Sequence, residues 1–287
     1  MPLSKRKKII LCIFGTITFI VIVLFLWAFV VEPNRLVVNE TSIALPNLPT
    51  GLSNLKIVAI SDIHGGSVFI SESKLQTIVE TANAQEPDLI FLLGDFVSQE
   101  HFNRENLKMS AETIAGHLKM LKAKHGVYAV LGNHDWWYNG KKVQKALEDV
   151  GIRVLENDVA ELVINGQTLW ILGVPDYFTR QPINLNLPLK KINRDGTIIA
   201  ITHNPDVFPE LPSKISLTLA GHTHGGQVNF PIVGAMIVPS QYGQRFAKGH
   251  IVEDNKHLFV TSGIGTSIFP VRFRVPPEIA VLRLSSQ

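Results

Sequence analysis

The chain has 287 residues, 46% hydrophobic and 18% charged, enough for one large domain with a well-buried core after an apolar N-terminal run is set aside. Its net charge of +3 comes mainly from Lys5, Arg6, Lys7 and Lys8. The remainder is near neutral and gives no electrostatic case for nucleic-acid binding. The single Cys12 excludes an intrachain disulfide framework and a cysteine-based zinc site.

Residues 9–31 form an uncharged run of 23 residues, which at the helical rise spans roughly 35 Å, enough to cross a bilayer with some tilt. Trp27 sits where an interfacial aromatic belongs. The run is longer than the apolar part of a signal peptide, and Ala28-Phe29-Val30-Val31 offers no small-x-small cleavage site, so an uncleaved anchor is expected. Basic residues precede the run and only Arg35 closely follows it. The positive-inside rule therefore predicts residues 1–8 in the cytoplasm and the C-terminal domain on the non-cytoplasmic side of the cell (inner) membrane. Residues 32–54, with Pro33, Pro46 and Pro49, read as a linker. Val37-Val38 and Ser42-Ile43-Ala44 leave room there for short edge strands, and the catalytic domain is expected over 55–287.

The run Leu55–Ile60 reads as a buried strand by its β-branched content and ends in Ser61-Asp62-Ile63-His64-Gly65-Gly66. In an extended strand end, Asp62 and His64 point to one side. A helical pattern follows from Ser71 to Ala84. A second strand, Asp88–Leu93, ends in Gly94-Asp95. The spacing of Ile114, Leu118 and Leu121 predicts a helix over Asn106–Lys122. A third strand, Gly126–Leu131, ends in Gly132-Asn133-His134-Asp135. This β-α-β-α-β order predicts a parallel core with right-handed crossovers, and ligands collect at the carboxyl ends of such strands. Further on, Lys142–Val150 reads as a helix and 153–155, 159–164 and 168–172 as short strands, with Asn165-Gly166 as a hairpin turn. The strand Thr197–Thr202 delivers His203, and Ile215–Ala220 delivers Gly221-His222-Thr223-His224-Gly225-Gly226. Leu258–Thr261 and Ile279–Leu284 close the sheets.

Asp is an ordinary turn residue, and one strand ending in it says little. Several strands ending in Asp, Asn or His, most of them beside glycine, exceed turn chemistry. The collected set is Asp62, His64, Asp95, Asn133, His203, His222 and His224. These are hard and borderline donors without thiolate, suited to Mn, Fe or Zn in a reactive rather than structural site. Seven ligands suit two divalent ions that share one carboxylate, a pair able to clamp the oxygens of a phosphoryl group. His134, next to a ligand but extra to the set, fits the catalytic role of proton donor to a leaving oxygen or of local stabiliser of its charge.

The series Asp62-x-His64, Gly94-Asp95, Gly132-Asn133-His134-Asp135, His203 and Gly221-His222-x-His224 resembles the calcineurin-like metallophosphoesterase signature in order and complete. The resemblance implies an α/β fold, a four-layer α/β/β/α sandwich with the dimetal site at the strand ends. It further implies one ion on Asp62, His64, Asp95 and His224, the other on Asp95, Asn133, His203 and His222, with Asp95 bridging. His203-Asn204-Pro205-Asp206 and the Gly221–Gln227 stretch resemble a bacterial membrane-associated phosphodiesterase branch, similar to enzymes that cleave the pyrophosphate of UDP-2,3-diacylglucosamine. The expectation is thus a membrane-anchored, dimetal-dependent phosphoesterase, phosphodiesters ahead of monoesters, whose substrate could be lipid-linked. Cleavage of the UDP-linked lipid is the alternative substrate. A non-catalytic metal-binding scaffold is the alternative class, disfavoured because no ligand has decayed.

Weaker features remain. Arg272, within Gly263–Arg272, could meet a substrate phosphate, against a default of surface or core-capping. Trp136-Trp137-Tyr138 reads first as core and second as an aromatic rim. Pro175–Pro188 has no clear period and reads as a loop near the site. His101, His117, His125, His250 and His257 match no motif position.

Overall fold

The computed structural model describes residues 4–100 and 103–287; His101 lies outside them. Two six-stranded sheets lie face to face. The first is built from β1 (Val37–Leu45), β2 (Lys56–Ile60), β3 (Leu89–Leu93), β4 (Val127–Val130) and β5 (Arg153–Val154). The second takes β6 (Asp158–Ile164), β7 (Gln167–Gly173), β8 (Thr197–Ile201), β9 (Leu217–Ala220), β10 (Gly249–Glu253) and β11 (Lys256–Val260). The last strand, β12 (Glu278–Ser286), returns to the first sheet. The orders are β1-β12-β2-β3-β4-β5 and β10-β11-β9-β8-β7-β6.

The expected parallel core is present: β2, β3 and β4 run parallel in successive register, as do β7, β8, β9 and β11. Strands β3 and β8 are buried at every position, which is why they read as continuous apolar runs rather than alternating ones. Alternate residues serve two cores. Ile57, Phe91 and Leu93 face Ile171, Ile199 and Leu219 between the sheets. Val58, Ile90 and Leu92 face α2 (Glu72–Asn83), α3 (Ala111–Leu118) and α4 (Asn133–Asp149) on the outside. The far face of the second sheet packs Trp170, Leu172 and Ile198 on Val207, Leu211 and the short α5 (Asn186–Lys191). The layers are thus helix, sheet, sheet, helix, as the resemblance implied.

Several local expectations need correction. The stretch read as a linker carries a nine-residue strand, β1, that pairs in parallel with β12 from Val37–Glu278 to Leu45–Ser286. It joins the two short pieces expected, and its partner is at the far end of the chain. Helix α3 starts at Ala111, because Ser110 caps it by accepting the Thr113 amide at 3.0 Å, while Asn103–Leu107 pairs instead with Gln99–Glu100. Helix α4 begins at Asn133, ahead of the expected Lys142, and bends at Asn139. Strand β10 was not expected: it is a half-exposed edge strand with no apolar run.

The N-terminal apolar run forms α1 (Lys5–Leu26) and a wider turn over Trp27–Val31. Its side chains are exposed along the helix, and it is long and apolar enough to cross a membrane. The end of α1 is fixed to the domain. The Arg272 amide donates to the Ala28 carbonyl at 3.0 Å, the Trp27 indole donates to Glu32 at 2.6 Å, and Ala28 and Glu32 are buried.

Candidate metal centre

All eight residues singled out from the sequence, Asp62, His64, Asp95, Asn133, His134, His203, His222 and His224, converge at the carboxyl ends of β2, β3, β4, β8 and β9. The reason differs from strand pleating. Asp62, His64, Asp95, His222 and His224 lie beyond their strands in the left-handed region, with φ between 48° and 68°. Non-glycine residues enter that region at a cost, and such strain concentrates at functional sites. Alternating handedness, not extended backbone, turns Asp62 with His64 and His222 with His224 toward one centre. The strand-end loops also interlock: the Asp62 and His64 amides donate to the Gly94 and Asp95 carbonyls, and the Gly221 amide to His203.

Glycine is required where these loops touch. A Cβ on Gly221 would overlap the Ser61 hydroxyl and the Asp62 carboxylate, and one on Gly94 would lie 2.5 Å from the Gly132 nitrogen. The cradle closes only with bare backbone at these points.

Each carboxylate has one oxygen tied down and one presented inward. Asp62 Oδ2 accepts the His222 amide at 3.0 Å, while its buried Oδ1 has no hydrogen-bond partner and lies 3.3 Å from His224 Nε2. Asp95 Oδ1 accepts the His134 amide at 2.8 Å, while Oδ2 faces His203 Nε2 at 3.3 Å and His64 Nε2 at 3.6 Å. His203 Nδ1 donates to the Leu93 carbonyl at 2.7 Å, which turns the Nε2 lone pair inward, 3.1 Å from Asn133 Oδ1 and from His222 Nδ1. Ligand atoms gather into groups, each within 4.8 Å: Asp62, His64 and His224; His64, Asp95 and His134; Asp95, His203 and His222. His64 and Asp95 each belong to two of them.

The charge state fits the same reading. Burial and the neighbouring His134 lower His64 to about 3, and burial with Arg272 holds His224 well below the usual imidazole value. Both imidazoles are neutral across the physiological range, the form able to ligate a metal. Burial opposes charge on His203 too, yet the Asp95 and Asp62 carboxylates hold it well above its usual value; a cation beside Asp95 relieves that pull. Orphaned buried oxygen, converging lone pairs and overlapping ligand groups joined through His64 and Asp95 fit a pair of divalent ions.

Three contributors carried no role in the sequence reading. Asp135 accepts the amides of Asp95 and Gly132 on Oδ2 and of Phe96 and Val97 on Oδ1, at 2.9–3.2 Å. Burial and the Asp95 charge push it up to about 8, against those amides; only the ionised carboxylate offers acceptors on both oxygens. Its signal was its place three residues into α4, where a carboxylate reaches back to the helix start. Gln99 accepts from His134 Nδ1 at 2.7 Å and donates to the His134 carbonyl at 2.5 Å. Phe178, from the loop after β7, packs edge-on to Trp137 with ring centroids 5.8 Å apart and lies tilted 6.4 Å from His222.

The weaker features divide. Trp137, 4.9 Å from the His134 ring, forms a rim, while Trp136 and Tyr138 pack on the outer core. The loop Pro175–Pro188 brings Phe178 to the site, and its last residues enter α5. Arg272 does not meet substrate. It is wholly buried and donates to the carbonyls of Ser262, Gly263, Gly265 and Val275. Its peptide amide reaches Ala28 at the same time, so it is a core hub behind the site.

Two parallel-rich sheets packed face to face, with buried Asp and His side chains gathered at their strand ends, define a calcineurin-like metallophosphoesterase. The chain belongs to the calcineurin-like phosphoesterase family, whose family model matches residues 55–226. It is 30% identical over 258 residues to the uncharacterized metallophosphoesterase YkuE of Bacillus subtilis, covering 89% of this chain and 87% of that one. It is 29% identical over 236 residues to the phosphodiesterase YaeI of Escherichia coli, covering 80% and 82%. A zebrafish transmembrane protein with a metallophosphoesterase domain is 27% identical over 86% of this chain and 56% of its own length.

Proposed function

We propose that the protein is a membrane-anchored phosphoesterase that hydrolyses phosphodiesters in preference to monoesters. The observation that carries the reading is the run of three ligand groups, Asp62 with His64 and His224, His64 with Asp95 and His134, and Asp95 with His203 and His222, linked through His64 and Asp95. One lobe is Asp62, His64, Asp95 and His224; the other is Asp95, Asn133, His203 and His222. When bound, two divalent ions supply neutralisation of the phosphoryl oxygens and a water of lowered pKa. The chain's own residues do the rest. Asp135 and the His134 amide fix Asp95 in place. Gln99 accepts from His134 Nδ1–H and fixes the ring, so His134 would give the departing oxygen a proton from Nε2 as the imidazolium, which returns to the Nδ1–H neutral form. Trp137 and Phe178 wall the site with apolar surface that suits an esterified rather than a bare phosphate.

The diester preference is further supported by the likeness to a protein named as a phosphodiesterase. The charge asymmetry around α1 supports an N-in orientation. The domain then lies outside the cytoplasm and meets lipid headgroups or exported phosphoesters, which argues against a UDP-linked lipid at the cytoplasmic face. The test pairs an aryl phosphodiester with an aryl monophosphate and added manganese. Faster diester turnover, abolished by chelation and restored by manganese, is expected; full activity of metal-stripped protein would sink the reading. A reporter fused after Gln287 checks orientation. Activity of an export-dependent reporter is expected, and fluorescence requiring cytoplasmic folding would reverse the placement and revive the UDP-linked lipid.

A further inference from the structure

Six large apolar side chains stand in solvent on two neighbouring loops. Ile232, Val233, Met236 and Ile237 lie at and after the tip of the hairpin formed by Asn229–Phe230 and Gly234–Ala235. Ile268 and Phe269 form the tip of the loop before Arg272. Ile268 is 81% exposed and Ile237 78%. Soluble surfaces scatter such residues singly; a gathered set marks an interaction face.

The two loops are one structural unit. The Gln227 side chain donates to the Phe269 carbonyl at 3.1 Å and accepts the Ser267 amide at 2.6 Å. The Asn229 amide donates to the Phe273 carbonyl at 2.9 Å, and the Phe230 and Phe273 rings lie 6.2 Å apart. That unit is joined to the end of α1: Arg272, three residues beyond Phe269, gives its amide to Ala28. Three residues of extended chain reach no further than about 11 Å, so Phe269 and the adjoining Ile268 are held close to the point where α1 enters the domain, and Gln227 ties the base of the hairpin to the same loop. Trp27 and Arg35, a pair of the kind found at bilayer interfaces, stack at the same place, 5.9 Å apart.

We propose that these two loops form a membrane-insertion platform: beside α1, Ile232, Val233, Met236, Ile237, Ile268 and Phe269 dip into the headgroup–acyl boundary of the bilayer. The occupant is lipid because the unit is continuous with a lipid-spanning helix and rigidly tied to it; the inference rests on the reading that α1 spans a membrane. Partial insertion of apolar tips is the energetics of an interfacial segment. The hairpin leaves the metal centre directly, since Gln227 stands three residues after His224. The platform therefore sets the mouth of the site at headgroup level, and the substrate class is a phosphodiester presented at a lipid surface.

The test uses the full chain reconstituted into phosphatidylethanolamine–phosphatidylglycerol vesicles. An environment-sensitive fluorophore is placed on native Cys12, or, with Cys12→Ser, at Ile232→Cys, Ile268→Cys or Val163→Cys. Val163 is also exposed, at 60%, on the edge strand β6 of the second sheet. All four positions are exposed, so the substitutions leave the core intact. Lipids carrying a nitroxide high on the acyl chain serve as quencher. Blue-shifted, quenched labels at 232 and 268, with an unquenched label at 163, are expected. Quenching at Cys12 with labels at 232 and 268 as water-exposed as at 163 overturns the platform and keeps the span. Quenching at 232 and 268 without quenching at Cys12 keeps the platform and rejects the span. A blue shift without lipid quenching means that protein covers the tips, and overturns the proposal.

Discussion

At the scale of single residues, the site works by dividing each polar group between holding and presenting. Asp95 gives one oxygen to the His134 amide and the other to the centre, and His203 does the same with its two ring nitrogens. Gln99 does this for the candidate acid, through its hold on His134 Nδ1. His134→Ala should keep its metals and lose turnover about 10²–10⁴-fold, less for good leaving groups, which need less protonation. Gln99→Leu should show the same leaving-group dependence at smaller size, in kcat rather than KM. Equal losses for good and poor leaving groups in a leaving-group series would make both residues substrate positioners. The ligand types were legible from the sequence because Asp-x-His and His-x-His declare their chemistry in residue identity alone. Gln99 was not. Its role depends on the fold placing position 99 against position 134, and no periodicity carries that. Nor was the left-handed backbone at Asp62, which reads in sequence as the end of an extended strand.

At the scale of elements, the strands with β-branched apolar runs were legible, since burial on both faces is written in composition. Strand β1 was seen only in pieces, because what makes it a strand is β12 at the other end of the chain. Arg272 illustrates the same limit: a guanidinium in a Pro-flanked segment reads as a phosphate ligand, a surface group or a core cap, and sequence does not choose among them. The structure takes the core alternative: Arg272 is the hub that collects four carbonyls under the loop 262–275. Arg272→Ala should destabilise the protein by about 3 kcal/mol or more, because the stranded carbonyls keep their desolvation penalty. Thermal unfolding checks this, and an unchanged midpoint would refute the hub. Glu156, after β5, accepts the Leu131 amide from the end of β4 at 2.8 Å. Burial raises it to about 7. The unfolded chain ionises first, so stability is full below the ordinary carboxyl value of 4.5. It falls as pH rises to about 7, by about 3 kcal/mol at most. Glu156→Gln should remove that slope when melting temperatures are compared across pH; an unaltered slope would assign it elsewhere.

At the scale of the whole molecule, two sheets stacked with their strand ends aligned bring five separate segments to one point. The fold could be inferred from sequence because the β-α-β-α-β order and the signature motifs agreed. The join between α1 and the domain could not, because the segment between them reads as a proline-rich linker and its anchor, Arg272, is remote in sequence. The central claim is that two ions sit on two ligand groups that share Asp95. Elemental analysis of purified wild-type and Asp95→Ala protein, beside turnover of an aryl phosphodiester, tests it most directly. The account predicts two ions per wild-type chain, with metal lost from both positions and turnover abolished in the variant. Two ions still bound in Asp95→Ala would contradict it.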